Sequence, residues 1–231
     1  RLFVKNELVE NYNFQKIKKF PGEEYVALAQ DIIMTKVNLA TKKDLLKAIK
    51  TKKMLETGGL PHKLVFKVGI KYMLTINVDV EDGLVNGACG TLKQITFDKD
   101  EVIKVVWIEF SNERIGQKLR SKYVNFVKTN DVCTHLVPIE KRSNPVNFKG
   151  NYEIWRKQFP LVPAEALTIH KSQGQTYSEI CVDLRKTQRM TRCLLYVALS
   201  RVRKLSDLYI IGKFTPPKPV GDHDPVFVEL K

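Results

Sequence analysis

The chain has 231 residues, of which 43% are hydrophobic and 28% charged; that apolar share excludes wholesale disorder, and 12 Gly with 10 Pro exclude collagen-like and low-complexity readings. Lys and Arg outnumber Asp and Glu by 39 to 25, a formal net charge of +14, which favours a polyanionic partner: DNA, RNA or an acidic membrane face. Apolar runs fall far short of the ~20 residues needed to cross a bilayer, and Cys89, Cys133, Cys181 and Cys193 are scattered without a CxxC pair, so an intracellular, reducing compartment is expected and a disulfide framework is not.

The chain begins at Arg1, not Met, and opens directly on a predicted strand, Arg1 to Lys5, as expected of a piece of a longer protein. Asn6 can cap a helix running to Phe20, with Glu7 and Glu10 near the positive end of its dipole. Pro21-Gly22 is a turn, and Tyr25 to Met34 reads as extended. Thr41-Lys42-Lys43-Asp44 has the spacing of a capping box, with Asp in place of the usual Glu. The helix it predicts carries Leu45, Leu46, Ala48 and Ile49 and stops at Gly58-Gly59. Lys43, Lys47 and Lys50 share one face of that helix and read as a solvated surface.

From Leu60 to Phe148 the texture changes to short β-rich segments: Leu64 to Ile76, Thr91 to Phe97, Val102 to Phe110, Tyr123 to Val127 and His135 to Ile139. Turn signals separate them, including Gly83, Asn86-Gly87 and Asp98-Lys99-Asp100. The pattern predicts an inserted small barrel or sandwich. Trp107 and Trp155 lie in or beside it, with core packing as their default role and base stacking as the alternative. Helical and strand signals then alternate again. Ala164 to Ile169 and Ile180 to Leu184 read as strands, Thr191 to Arg203 as a helix and Leu208 to Ile211 as a last strand. The tail from Thr215 holds Pro216, Pro217, Pro219 and Pro225 and reads as extended. The fold class is therefore α/β, a layer opened, interrupted by a β-module, and resumed.

Two segments carry chemistry. Thr168-Ile169-His170-Lys171-Ser172-Gln173-Gly174-Gln175 follows a strand, so its polar side chains sit at a strand's carboxyl end, where open α/β sheets bind ligands. Thr, Lys, Ser and a Gly form a phosphate-contacting set, and a plain polar loop is the alternative. In the second segment Leu194, Val197, Ala198 and Arg201 recur at helical spacing. Arg201 thus leaves an apolar stripe, and a buried guanidinium without an anion costs several kcal/mol. Its partner is either an internal carboxylate or a phosphate at a domain interface. No His and Cys recur at metal-ligand spacing, so no metal site is expected.

Together, Thr168-Ile169-His170-Lys171-Ser172-Gln173-Gly174 and Tyr196-Val197-Ala198-Leu199-Ser200-Arg201 resemble motifs V and VI of the Pif/RecD-like branch of superfamily-one DNA helicases. Arg1-Leu2-Phe3-Val4-Lys5-Asn6, with Val9 and Asn13, is similar to that branch's motif IV. Val68-Gly69, Met73-Leu74, Asn77, Asp79, Gly83-Leu84-Val85-Asn86-Gly87 and Gly90 resemble the signature leading into its SH3-like barrel. Phe159-Pro160-Leu161, with Ala164 and Ala166, matches the run into motif V.

The resemblance implies a RecA-like parallel-sheet lobe interrupted by an SH3-like barrel. Residues 1–59 and 159–214 would form the second motor lobe, 60–158 the insertion, and 215–231 a Pro-rich tail. Such helicases clamp ATP and Mg2+ between two RecA-like lobes, with single-stranded DNA crossing both. By position, Arg201 would be the arginine finger on the γ-phosphate, and Gly174 and Gln175 would approach the nucleotide. Thr168, His170 and Lys171 would meet the DNA backbone. The expected partners are single-stranded or duplex-junction DNA and an N-terminal RecA-like lobe that holds most of the ATP and Mg2+; no membrane partner is expected. The chain has no G-x-x-x-x-G-K-[ST], because Gly212-Lys213 is followed by Phe214 and lacks the upstream Gly. Asp100-Glu101 follows a polar turn and reads as hairpin-tip charge. The implied activity is an ATP-dependent 5′-3′ DNA helicase in the whole protein, with little or no ATP hydrolysis by this chain alone. The alternative is a non-motor nucleic-acid-binding module that retains the fold.

Overall fold

The structure is a computed structural model and describes residues 1–130, 132–185 and 190–214. The predicted Pro-rich tail lies outside the described residues. In chain order the elements are β1 (Leu2–Phe3), α1 (Asn6–Lys19), β2 (Tyr25–Leu28), β3 (Gln30–Ile33), α2 (Leu39–Lys50), β4 (Lys63–Phe66), β5 (Lys71–Leu74), β6 (Cys89–Phe97) and β7 (Ile103–Phe110). They continue with α3 (Gln117–Lys122), α4 (Val124–Thr129), β8 (Val137–Glu140), β9 (Arg142–Pro145), β10 (Ile154–Gln158), β11 (Leu161–Pro163), β12 (Leu167–Thr168), β13 (Ile180–Asp183), α5 (Arg192–Leu199) and β14 (Leu208–Ile211).

The chain divides into two compact units. One joins residues 1–12 to those from 166 onward; the other is 13–165. The first unit is built on a parallel sheet in the order β12-β1-β13-β14. Its middle strand, β1, has neighbours on both edges and buries Leu2 and Phe3, so it reads as a continuous apolar run with no alternation. Ile180 and Val182 on β13 and Leu195 and Ala198 on α5 are also buried.

The second unit carries a five-stranded antiparallel sheet in the order β11-β5-β6-β7-β8. β2 pairs with β4, and β3 with β10, which also pairs with β9. Phe66, Tyr72, Leu74, Leu92, Ile108 and Phe159 sit in its main core. The β6–β7 hairpin turns at Asp98, whose carboxylate accepts the Asp100 and Val102 amides at 3.0 and 2.8 Å. Asp100-Glu101 is hairpin-tip charge, as the sequence indicates. Trp107 is wholly buried and donates to Thr96 Oγ1 at 2.8 Å, a core residue with its one polar atom satisfied.

Several expectations need correction. Tyr123 to Val127 is not a strand: α3 and α4 meet there, and Tyr123 and Phe126 pack on Trp107. The aromatic and β-branched composition that favours strands serves a helical face here. The start of α2 is capped by Asn38, whose Oδ1 accepts Thr41 N at 2.8 Å, so Thr41 is inside the helix and no Thr41–Asp44 box forms. α2 ends at Lys50, and a separate 3-10 turn, Met54–Thr57, reaches the left-handed Gly58. Tyr25 to Met34 is two strands in different sheets, and Leu64 to Ile76 breaks at the positive-φ Gly69. The strand in Ala164 to Ile169 covers only Leu167–Thr168, and the last helix stops at Leu199, short of Arg203. Within the 13–165 unit, β2 and β3 pair with β4 and β10.

Candidate functional site

β12, β1 and β13 run parallel, so their carboxyl ends emerge on one edge. Thr168, His170 and Lys171 leave from β12 on that edge, and Asp183 closes β13. Thr168 is buried, and its Oγ1 accepts the Lys171 amide at 3.3 Å. Ser172, also buried, donates its hydroxyl to Ile169 O at 2.7 Å. These bonds curl the chain into a 3-10 turn, His170–Ser172, and leave the His170 and Lys171 side chains exposed. The short strand followed by local hydroxyl bonds is what Thr and Ser favour over continued ladder pairing.

Gly174 follows at φ +78, with nothing near the position a Cβ would take. A glycine therefore serves two ends here: the left-handed backbone, and open space in which a ligand can approach the main chain. Gln175 N donates to Ser172 O at 3.1 Å, and the Tyr177 hydroxyl donates to Gln175 Oε1.

α5 starts at the Thr191 cap, whose hydroxyl accepts Leu194 N at 3.3 Å. The helix buries Leu195 and Ala198, flanked by half-buried Leu194 and Val197. Arg201 lies in the turn beyond its last residue, and so ends the stripe instead of continuing it. Its Nε donates to Val197 O at 2.8 Å, satisfying a carbonyl at the helix end. Nη1 donates to Gln175 O at 3.0 Å, and Nη2 to Ser200 Oγ at 2.8 Å. All three acceptors are neutral. Among the described residues no carboxylate pairs with Arg201. Of the two partners the sequence left open, the internal carboxylate is therefore not the one found. A half-buried cation held on neutral oxygens is suited to receive an anion.

The structure thus brings Gly174, Gln175 and Arg201 together and sets Thr168, His170 and Lys171 at the start of the same loop. Sequence reasoning missed Arg185 and Asp183. Asp183 is 4% exposed and accepts Arg185 Nε at 3.1 Å and Nη2 at 2.7 Å, with Arg1 Nη1 at 3.8 Å. The bond from Arg185 holds the Asp183 carboxyl below the usual carboxylate range. The signal was present, since residues two apart on an extended chain point the same way. Tyr177 was also passed over, because its amide donates to the Arg201 carbonyl, a contact distant in sequence and invisible to local spacing. Asn13 belongs to packing: it is buried, and its Nδ2 donates to Pro163 O at 3.0 Å. Among the described residues, no three His, Cys, Asp or Glu side chains cluster to hold a metal ion, and no helix is long and apolar enough to cross a membrane.

Residues 163–209 match the UvrD-like helicase C-terminal domain, and residues 50–95 match the 2B domain of the DNA helicase Pif1. The ATP-dependent DNA helicase PIF1 of Danio rerio is 29% identical over 213 residues, covering 91% of this chain and 27% of that relative. The chain thus spans about a quarter of that relative's length. The solved Pif1 helicase from Candida albicans superposes with a TM-score of 0.61 at 23% identity, over 92% of this chain and 45% of that one. A Pif1 helicase from Bacteroides, solved in complex with ADP-AlF3 and ssDNA, gives 0.56 at 21% identity over 93% and 40%. The first match covers the candidate site and the second lies within the 13–165 unit. The chain belongs with the C-terminal portions of the Pif1-like superfamily-one helicases.

Proposed function

We propose that the chain is the second motor lobe, with its inserted module, of an ATP-dependent 5′-3′ DNA helicase. Arg201 is its arginine finger. The observation that carries this reading is the Arg201 guanidinium, held by Val197 O, Gln175 O and Ser200 Oγ with no carboxylate against it among the described residues. A group so held is pre-positioned for a γ-phosphate presented by an N-terminal RecA-like lobe. Gly174 and Gln175 supply the adjoining backbone. The open, left-handed Gly174 fits a nucleotide phosphate. Bound with the nucleotide and held mainly by the partner lobe, Mg2+ would supply charge neutralisation on the phosphates.

Thr168, His170 and Lys171 grip single-stranded or duplex-junction DNA by its backbone. In this reading Thr168 shapes the turn from within, while exposed His170 and Lys171 make the contacts. The name of the Danio rerio relative and the ssDNA in the Bacteroides complex support ATP and DNA as the ligands. The five-stranded antiparallel sheet supports an SH3-like insertion within the 13–165 unit. The reducing, intracellular setting fits four cysteines that are all free.

The test is Arg201→Ala in the full-length protein. ATP turnover should fall by about 10³-fold or more, while DNA affinity survives. Unchanged turnover, or loss of turnover and DNA binding together, would overturn the assignment and leave Arg201 a structural residue.

A further inference from the structure

α2 turns a basic stripe to solvent. Lys43, Lys47 and Lys50 fall at i, i+4 and i+7, a line about 10 Å long. All three are exposed, and among the described residues none enters an ion pair. The helix does not need these charges to fold. It is held by Leu45 and Ile49, packed with Val146 and Ile154. Lys47 and Lys50 suit the negative end of the dipole, but Lys43 gains nothing from it, and like charges four residues apart repel.

What a solvated face does not explain is its neighbour. Beside the stripe lies a cleft of about 500 Å³, lined by Thr51, Lys52, Phe148 and Lys149 among others. Thr51, four residues after Lys47, joins the stripe to the cleft. The loop bearing Phe148 is pinned there, since Asn147 N donates to Glu56 O at 2.6 Å. Phe148 is half-buried, with Tyr152 edge-on at 6.3 Å and the Lys52 ammonium 5.1 Å from its ring centroid. Among the residues lining the cleft the one acid is Glu56, already neutralised by Lys52 at 2.7 Å.

We propose that this surface is a second binding site for single-stranded nucleic acid. The three lysines track phosphates, and a base enters the cleft against Phe148. A stacked strand presents a phosphate about every 3.4 Å and an unstacked one presents fewer, so a single strand lays about two to three phosphates along the stripe. A cationic track beside an aromatic ring is the arrangement that binds unpaired bases without sequence preference. The proposal rests on DNA being the partner of this chain, and it places a contact far along the chain from Lys171.

Labelled oligothymidylate, titrated into the chain and its variants across a salt series, tests it. K43A/K47A/K50A should lower the slope of log K against log salt by about 2. F148L should weaken binding about tenfold with the slope unchanged. K171A is the control for the underlying reading. If K171A lowers the slope while the lysine triple variant keeps the wild-type value, the α2 site is overturned and the DNA reading stands. If F148L binds as wild type, the base-stacking role is overturned. If the unmodified chain fails to bind, or no variant differs from it, both readings fall.

Discussion

The Arg201 guanidinium donates to the main-chain oxygen of Gln175 at 3.0 Å, and Tyr177 N donates back to the Arg201 carbonyl at 2.9 Å. The loop after β12 and the end of α5 are therefore bonded in both directions. Lys171 sits at one end of that loop and Arg201 is fastened to the other. In the proposed reading, the group that would hold a strand and the group that would face a nucleotide share one short stretch of backbone. That is the physical requirement for a nucleotide to influence a grip on DNA.

Lys171→Ala should weaken DNA binding about equally for oligonucleotides of different base composition. A point charge on a phosphate carries no base information, and loss of one such contact lowers the salt slope by ~1. Fluorescence anisotropy with several unrelated sequences checks this, and a base-selective loss would reassign Lys171 to base contact.

Asp31 and Arg156 form a bidentate pair at 2.7 and 2.9 Å, with side chains 5% and 1% exposed. Arg156 also reaches Leu60 O and Ile49 O, at 3.4 and 3.3 Å, tying β3, β10 and the end of α2 together. Asp31→Ala strands a buried cation and should cost about 3–5 kcal/mol. Asp31→Leu with Arg156→Met should cost much less, because no charge is left unpaired. Urea unfolding of the two variants separates these outcomes.

Gly90 sits in β6, between Tyr72 on β5 and Phe110 on β7. A Cβ there would stand 2.7 Å from Glu109 O, a backbone atom that cannot step aside. Gly90→Ala should destabilise the chain by about 1–3 kcal/mol, read as a lower thermal midpoint. The glycine is required by close strand approach.

The Asp183 carboxyl is held below its ordinary range, chiefly by the Arg185 side chain. A lowered folded-state value stabilises the fold at neutral pH. The contribution begins to fade near the unfolded value of about 3.9 and is lost as pH falls through the folded one. Thermal melts between about pH 5 and 2 should therefore show an acid limb that Asp183→Asn flattens. The same variant should be less stable at neutral pH by about 1–3 kcal/mol, for want of charged hydrogen bonds.

Much of this was legible in the residues. The β14 limits, Leu208–Ile211, follow the sequence pattern, as does the hairpin tip at Asp98, while Asn6 is the first residue of α1 and not its cap. These features are local: an apolar run, a dipole-matched helix start and an Asx turn depend on neighbours a few residues away. The motif loop and Arg201 were legible for the same reason, being short stretches with fixed order.

Other features were set by partners distant in the chain. Tyr123 to Val127 has strand composition, yet forms helix because Trp107 offers a face for its rings. β2 and β3, adjacent in sequence, part into different sheets because their partners lie at β4 and β10. The Gln175 acceptor of Arg201 could not be read from spacing, since it lies 26 residues away. The order of motifs and the kind of chemistry they carry were thus determined by the sequence itself. Which strands pair, which charges are buried and what holds the guanidinium were decided by tertiary structure, because burial and hydrogen-bond satisfaction are settled only when remote segments meet.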